Sequence, residues 1–85
     1  MWIITEDIIS DGADVKVSSK DYNKETKLRH RFRMLDDDDN IYYYGWSNAN
    51  DSEEAFLPLD DFGLENAGCT EIQYYNEKTE EWETL

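Results

Sequence analysis

The sequence predicts a mainly β protein: a single small antiparallel β domain of five to six short strands, with at most one short helix near residues 57–64. Three observations predict it. Apolar and charged residues alternate with period two from Lys27 to Leu35, the signature of a half-buried strand. Aromatic and β-branched residues crowd short segments such as Ile41-Tyr42-Tyr43-Tyr44-Gly45-Trp46. Polar clusters rich in Asp, Asn, Ser and Gly separate these segments, as turns do. At 85 residues and 10.1 kDa the chain is one domain, residues 1–85. A chain this short buries only about 60% of its unfolded surface, so three Trp, six Tyr and three Phe must supply much of the core.

Taken in order, Trp2 to Ile8 is β-branched and apolar, and Asp11-Gly12 is a strong short hairpin signal. Asp14 to Ser18 returns with Val15 and Val17 on one face, and Lys20 to Glu25 reads as a polar loop. In the strand 27–35, Leu28, His30, Phe32 and Met34 share the apolar face, while Lys27, Arg29, Arg31 and Arg33 form a basic stripe about 20 Å long on the other. A four-residue turn, Asp36 to Asp39, would pair Leu35 with Asn40. That register sets Arg33 against Tyr42, Arg31 against Tyr44 and Arg29 against Trp46, where guanidinium groups lie over aromatic rings. Asn48 to Glu54 reads as a second loop. Pro58 suits the start of a helical turn and Gly63 its end. Residues 69–75 and 81–85 form the last hairpin, with Ile72, Tyr74 and Trp82 expected to face inward. The expected core is Trp2 or Ile3, Ile4, Val15, Val17, Leu28, Phe32, Met34, Ile41, Tyr43, Ile72 and Tyr74.

Charge is the most informative feature. The chain carries 21 Asp and Glu against 8 Lys and Arg, a net charge of -13. Residues 1–35 sum to +1, whereas residues 36–85 hold fifteen acids and the single base Lys78, or -14. Direct nucleic-acid binding of the ordinary kind needs the opposite sign. No stretch approaches the about 20 apolar residues of a membrane span. Met1-Trp2-Ile3-Ile4 runs at once into Thr5-Glu6-Asp7 without a basic leader, so the expected location is cytoplasmic. The lone Cys69 excludes an internal disulfide and reads as a small buried thiol.

Catalytic patterns fail one by one. Asp36, Asp38 and Asn40 match positions 1, 3 and 5 of a calcium loop, but Ile41 stands where its glycine belongs and Ser47 where its glutamate belongs. Only weak, non-specific cation binding is expected of Asp36–Asp39. Asp60 and Asp61 are adjacent rather than opposed across a cleft. His30 lies on an apolar strand face, the setting of a core histidine. No metal site, no cofactor site and no catalytic residue is expected, and the protein reads as a non-enzyme. What remains is an anionic surface, with Asp51, Glu53, Glu54, Asp60, Asp61, Glu65, Glu71, Glu80, Glu81 and Glu83 as the partner-binding residues. Rows of carboxylates at this density can enter a groove built for a phosphate backbone and release its counterions.

In size, acidity, β pattern and lack of catalytic groups, the whole chain resembles the small acidic DNA-mimicking inhibitors of phages and mobile elements. These include the phage inhibitor of uracil-DNA glycosylase and anti-CRISPR and anti-restriction proteins. The resemblance implies a basic nucleic-acid-binding protein, such as a CRISPR or restriction nuclease, as the partner. The segments Phe32-Arg33-Met34-Leu35-Asp36-Asp37-Asp38, Pro58-Leu59-Asp60-Asp61-Phe62-Gly63 and Ala67-Gly68-Cys69-Thr70 also look like those of small uncharacterised bacterial proteins, a likeness that implies no activity. A second reading is an acidic structural or interaction module, including a homodimer joined through the basic strand and acidic loops.

Overall fold

A computed structural model describes residues 1–8 and 13–85. Six strands, β1 (Trp2–Asp7), β2 (Ala13–Ser18), β3 (His30–Leu35), β4 (Ile41–Ser47), β5 (Glu71–Asn76) and β6 (Glu81–Thr84), form one antiparallel sheet in the order β2-β1-β4-β3-β5-β6. The antiparallel β domain is as the alternation predicts. The Asp11-Gly12 turn lies outside the described residues, as does the side chain of Val15. Among the described residues no helix is long and apolar enough to cross a membrane.

Between β4 and β5 the chain is helical from residue 53 to residue 67, about twice the length of the short helix expected near residues 57–64. It opens with a 3₁₀ turn (Glu53–Phe56), passes through a π turn (Leu59–Gly63) and ends in an α turn (Leu64–Ala67). Glu53 and Glu54 in the first turn suit the positive end of the helix dipole. Ala55, Leu59 and Gly63 form the buried stripe that holds the helix to the sheet. The π turn is closed by the Leu64 N–H donating to the Leu59 carbonyl. Gly63 permits the closest approach of helix and sheet, since a Cβ there would lie 2.6 Å from the Met34 sulfur. Gly68, with φ 69°, terminates the helix. Its N–H reaches the Leu64 carbonyl and that of Cys69 reaches Gly63, both at 3.1 Å.

The core lies between the helix and one face of the sheet. Trp2, Ile4, Phe32, Met34, Tyr43, Ile72 and Tyr74 come from the strands, and Ala55 and Leu59 from the helix, with Cys69 just beyond it. Val17 packs at the margin. Leu28 and Ile41 are only half-buried. β3 begins at His30, so Lys27 and Arg29 precede the strand rather than continue its stripe.

Two registers differ from the sequence reading. In the β3–β4 hairpin Met34 opposes Tyr43, Arg33 opposes Tyr44 and Arg31 opposes Trp46, with a bulge between Met34 and Leu35. The shift of two residues leaves every side chain on its expected face. Its origin is the turn: the Asp36 carboxylate accepts from the backbone N–H groups of Asp38 and Asn40, both at 2.9 Å, and Asp39 takes φ 64°. In the β5–β6 hairpin Asn76 opposes Glu81, so Trp82 opposes Tyr75, not Tyr74. That one-residue shift moves Trp82 to the outer face. Asn76 builds the turn responsible, its side-chain oxygen accepting from Lys78 N–H at 2.9 Å while its carbonyl accepts from Glu80 N–H at 2.8 Å.

Candidate functional site

The sheet separates two surfaces of different chemistry. On the helix side, Asp51, Glu53, Glu54, Asp60, Asp61 and Glu65 are all exposed. No lysine or arginine occurs between Arg33 and Lys78, so no base interrupts this ridge. Phe56 and Leu64 are exposed among these acids, at 38% and 52%. Glu81 and Glu83 of β6 extend the acidic side, because Glu83 opposes Tyr74, whose side chain points to the helix. Glu80 sits in the preceding turn with φ 58°.

The ridge is held in place from below. The buried Tyr74 hydroxyl donates to the Ala55 carbonyl at 2.8 Å, and Phe62 packs edge-on against Tyr43 with centroids 5.1 Å apart. Burial pushes the Tyr74 phenol up to about 12, only partly offset by Ser47. Burial, followed by the Asp36 charge, raises the Cys69 thiol to about 11. Cys69 is thus a protonated, inert core residue.

Glu71 stands apart from the other candidate acids. It lies on the outer face, where its carboxylate accepts from Gln73 Nε2 and from Thr84 Oγ1, the latter at 2.7 Å. Its neighbours there are arginines and aromatic rings. Arg31 lies 5.0 Å from the Tyr44 centroid and 5.8 Å from that of Trp82, and Arg33 lies 4.5 Å from Trp82. Arg33 Nε also donates to Gln73 Oε1 at 2.7 Å. Trp82 stacks obliquely on Tyr44 at 5.9 Å and edge-on to Tyr75 at 5.3 Å. Two of the four bases therefore lie against rings, Arg33 half-buried and Arg31 still exposed, as Lys27 and Arg29 are. None of these four bases forms a salt bridge among the described residues.

Sequence reasoning found Tyr44 as a ring partner and missed Trp82. The signal that could have found it is Asn76, a turn-initiating residue whose placement at the end of β5 carries Trp82 to the outer face. His30 is half-buried and lines an open groove with Arg29, Arg31, Asn50 and Asn76 rather than joining the core. At the aspartate run, hydrogen bonds from Asn40 and Asp38 hold the Asp36 carboxyl below its ordinary value. Among the described residues, no three His, Cys, Asp or Glu side chains converge as a metal cage would.

Fold and charge together define a one-sheet, one-helix domain with an acidic helical side and an arginine–aromatic sheet side. No family model, curated protein or solved structure matches the chain.

Proposed function

We propose that this is a cytoplasmic, non-enzymatic, nucleic-acid-mimicking inhibitor or regulator that docks on a basic nucleic-acid-handling protein, such as a CRISPR or restriction nuclease. The observation that carries the reading is the uninterrupted acidic ridge of Glu53, Glu54, Asp60, Asp61 and Glu65 on a helix pinned to the sheet. A pinned array loses less conformational entropy on docking than a flexible acidic tail, so charge attraction appears as affinity. Its carboxylates replace phosphates on the partner's Lys and Arg, and counterions leave both surfaces.

The test is competition for purified CRISPR and restriction nucleases. A nuclease bound by this protein is released by duplex DNA, and binding weakens steeply between about 50 and 200 mM salt. Asp60→Asn lowers affinity while leaving the melting temperature equal or higher, because it also relieves repulsion along the ridge. Binding that survives neutralisation of all five carboxylates, or that ignores DNA, would overturn the reading. Glu71→Gln is not an equivalent probe, since Glu71 has hydrogen-bonded partners on the other face.

A second reading, the interaction module or homodimer, is favoured by the arginine–aromatic face, whose cations form no salt bridge among the described residues. Sedimentation at physiological salt discriminates: a species of twice 10.1 kDa that dissociates on Arg31→Glu supports it.

A further inference from the structure

Where the outer face of the sheet meets the loop between β2 and β3 there is a cleft of about 340 Å³, lined by Ile3, Tyr22, Thr26, Lys27, Leu28 and Trp46. No carboxylate lines it among the described residues, and its one charge is Lys27. Trp46 is 37% exposed and takes part in no ring–ring or cation–ring contact. Tyr44, Tyr75 and Trp82, farther along the same face, are engaged with one another or with arginines. The cleft is continuous with them through the sheet register: Ile3 opposes Trp46, and Trp46 opposes Arg31, whose guanidinium leans over Tyr44.

A second observation concerns charge. This face reverses the sign of the chain. Lys27, Arg31 and Arg33 stand on it without a salt bridge among the described residues. Of the acids whose side chains are described, two share the face with them. Glu6 stands opposite Tyr44, and Glu71 already accepts from Gln73 and Thr84. The acidic ridge lies on the other side of the sheet with the core between. At physiological salt, where the screening length is about 8 Å, it acts only weakly on a ligand held here.

An unpartnered ring, a cation beside it and further rings interleaved with guanidinium groups are the parts of a surface that holds a single nucleic-acid strand, with bases on the rings and phosphates on the cations. Other ligands use only some of these parts. A duplex keeps its base faces inside and offers phosphates alone. A row of carboxylates meets the cations and leaves Trp46 bare, while an apolar ligand leaves the cations unused. We propose that the outer face binds single-stranded nucleic acid, with one base in the cleft against Trp46 and Tyr22 and the flanking phosphates on Lys27 and Arg31. The adjacent strands β4, β3, β5 and β6, at a spacing of about 4.8 Å, span about 15 Å, room for two or three bases. The net charge of the chain excludes a nucleic-acid binder of the ordinary kind, and this binding is confined to the one face where the sign is reversed. The inference goes beyond the mimicry of the acidic ridge and does not depend on it: one side of the protein imitates a nucleic acid and the other takes hold of one.

The experiment is fluorescence anisotropy of end-labelled oligothymidylate and oligouridylate, about twelve nucleotides long, titrated with the full chain at about 50 mM salt. At least one of the two is expected to bind and to quench tryptophan emission. Trp46→Ala should weaken that binding about fivefold or more, the contribution of one stacked base. Lys27→Gln leaves every ring in place, and should weaken binding and lower its salt dependence by about one phosphate contact. Asp60→Asn with Glu65→Gln, on the far side of the sheet, should leave the affinity for the strand equal or slightly higher while nuclease binding falls, so the two readings fail separately. Binding of neither strand would overturn the inference. So would inorganic polyphosphate that competes as well charge for charge, a duplex of the same length that binds as tightly, or an affinity unchanged in both Trp46→Ala and Lys27→Gln. A dimer in sedimentation that the bound strand does not dissociate would assign the face to a second copy and overturn it too.

Discussion

Replacing Tyr74 with Phe deletes one oxygen from the contact between β5 and the first turn of the helix. The hydroxyl donates to the Ala55 carbonyl at 2.8 Å, Tyr74 is 5% exposed and Ala55 is wholly buried. The ring still fills its place against Phe32, 5.8 Å away, so the loss is confined to the hydrogen bond and the stranded carbonyl. That costs about 1–3 kcal/mol, a large share of the roughly 5–15 kcal/mol that holds a small domain together. Urea unfolding should show it as a lower midpoint with an unchanged slope. An alkaline series adds a second, independent reading. Burial raises the Tyr74 phenol from 10.0 to about 12, so the native state keeps its proton after the unfolded chain has lost it. The contribution of Tyr74 to wild-type stability should therefore be complete below pH 10 and fall through the window from 10 to 12. The loss is on the order of 2–3 kcal/mol at about 1.4 kcal/mol per pH unit. Tyr74→Phe lacks this liability, and other alkaline losses, including that from Cys69, are common to both proteins. The difference between them should shrink and then invert as pH rises. A neutral-pH difference below about 0.5 kcal/mol, or a difference constant up to pH 12, would refute the reasoning.

Phe32→Ala should cost about 3–5 kcal/mol, because the ring is fully buried between β4, β5 and the helix; a loss below about 2 kcal/mol in urea would place Phe32 outside the core. Cys69, wholly buried with its thiol raised to about 11, should react with an aromatic disulfide reagent only at the rate of unfolding, and immediate reaction under native conditions would contradict that burial. Trp82→Leu should remove ring contacts from both Arg31 and Arg33 and lower stability by about 1–2 kcal/mol, read by thermal melting. An unchanged melting temperature would mean that the arginines are held by Gln73 and Tyr44 alone.

Where sequence and structure agree, a period decides the matter. Phe32 and Met34 alternate with Arg31 and Arg33, and an alternation of two admits only a strand with those two faces. The two-residue register shift in β3–β4 could not be seen in that pattern, because it keeps every residue on its own face. Only the hydrogen bonds of the Asp36 turn and the bulge at Leu35 select it. The helix was hard to read for another reason. Pro58 and the acids at 53, 54, 60 and 61 dilute a stripe whose buried members include Ala55 and Gly63, small residues that look inert until Met34 is seen beneath them.

The sequence alone determined that this is an acidic, antiparallel β domain, that its negative charge gathers after residue 35, and that a strand of arginines stands beside a strand of tyrosines. Those properties follow from composition and from nearest-neighbour geometry along a strand. The tertiary structure decided which side of the sheet each charge occupies, that Trp82 rather than Tyr42 covers Arg33, and that Trp2, Asp61 and Glu65 line one groove. These depend on a turn's backbone angles and on the packing of segments dozens of residues apart. A shift of one residue in a hairpin reverses a face without changing the local pattern that a sequence displays.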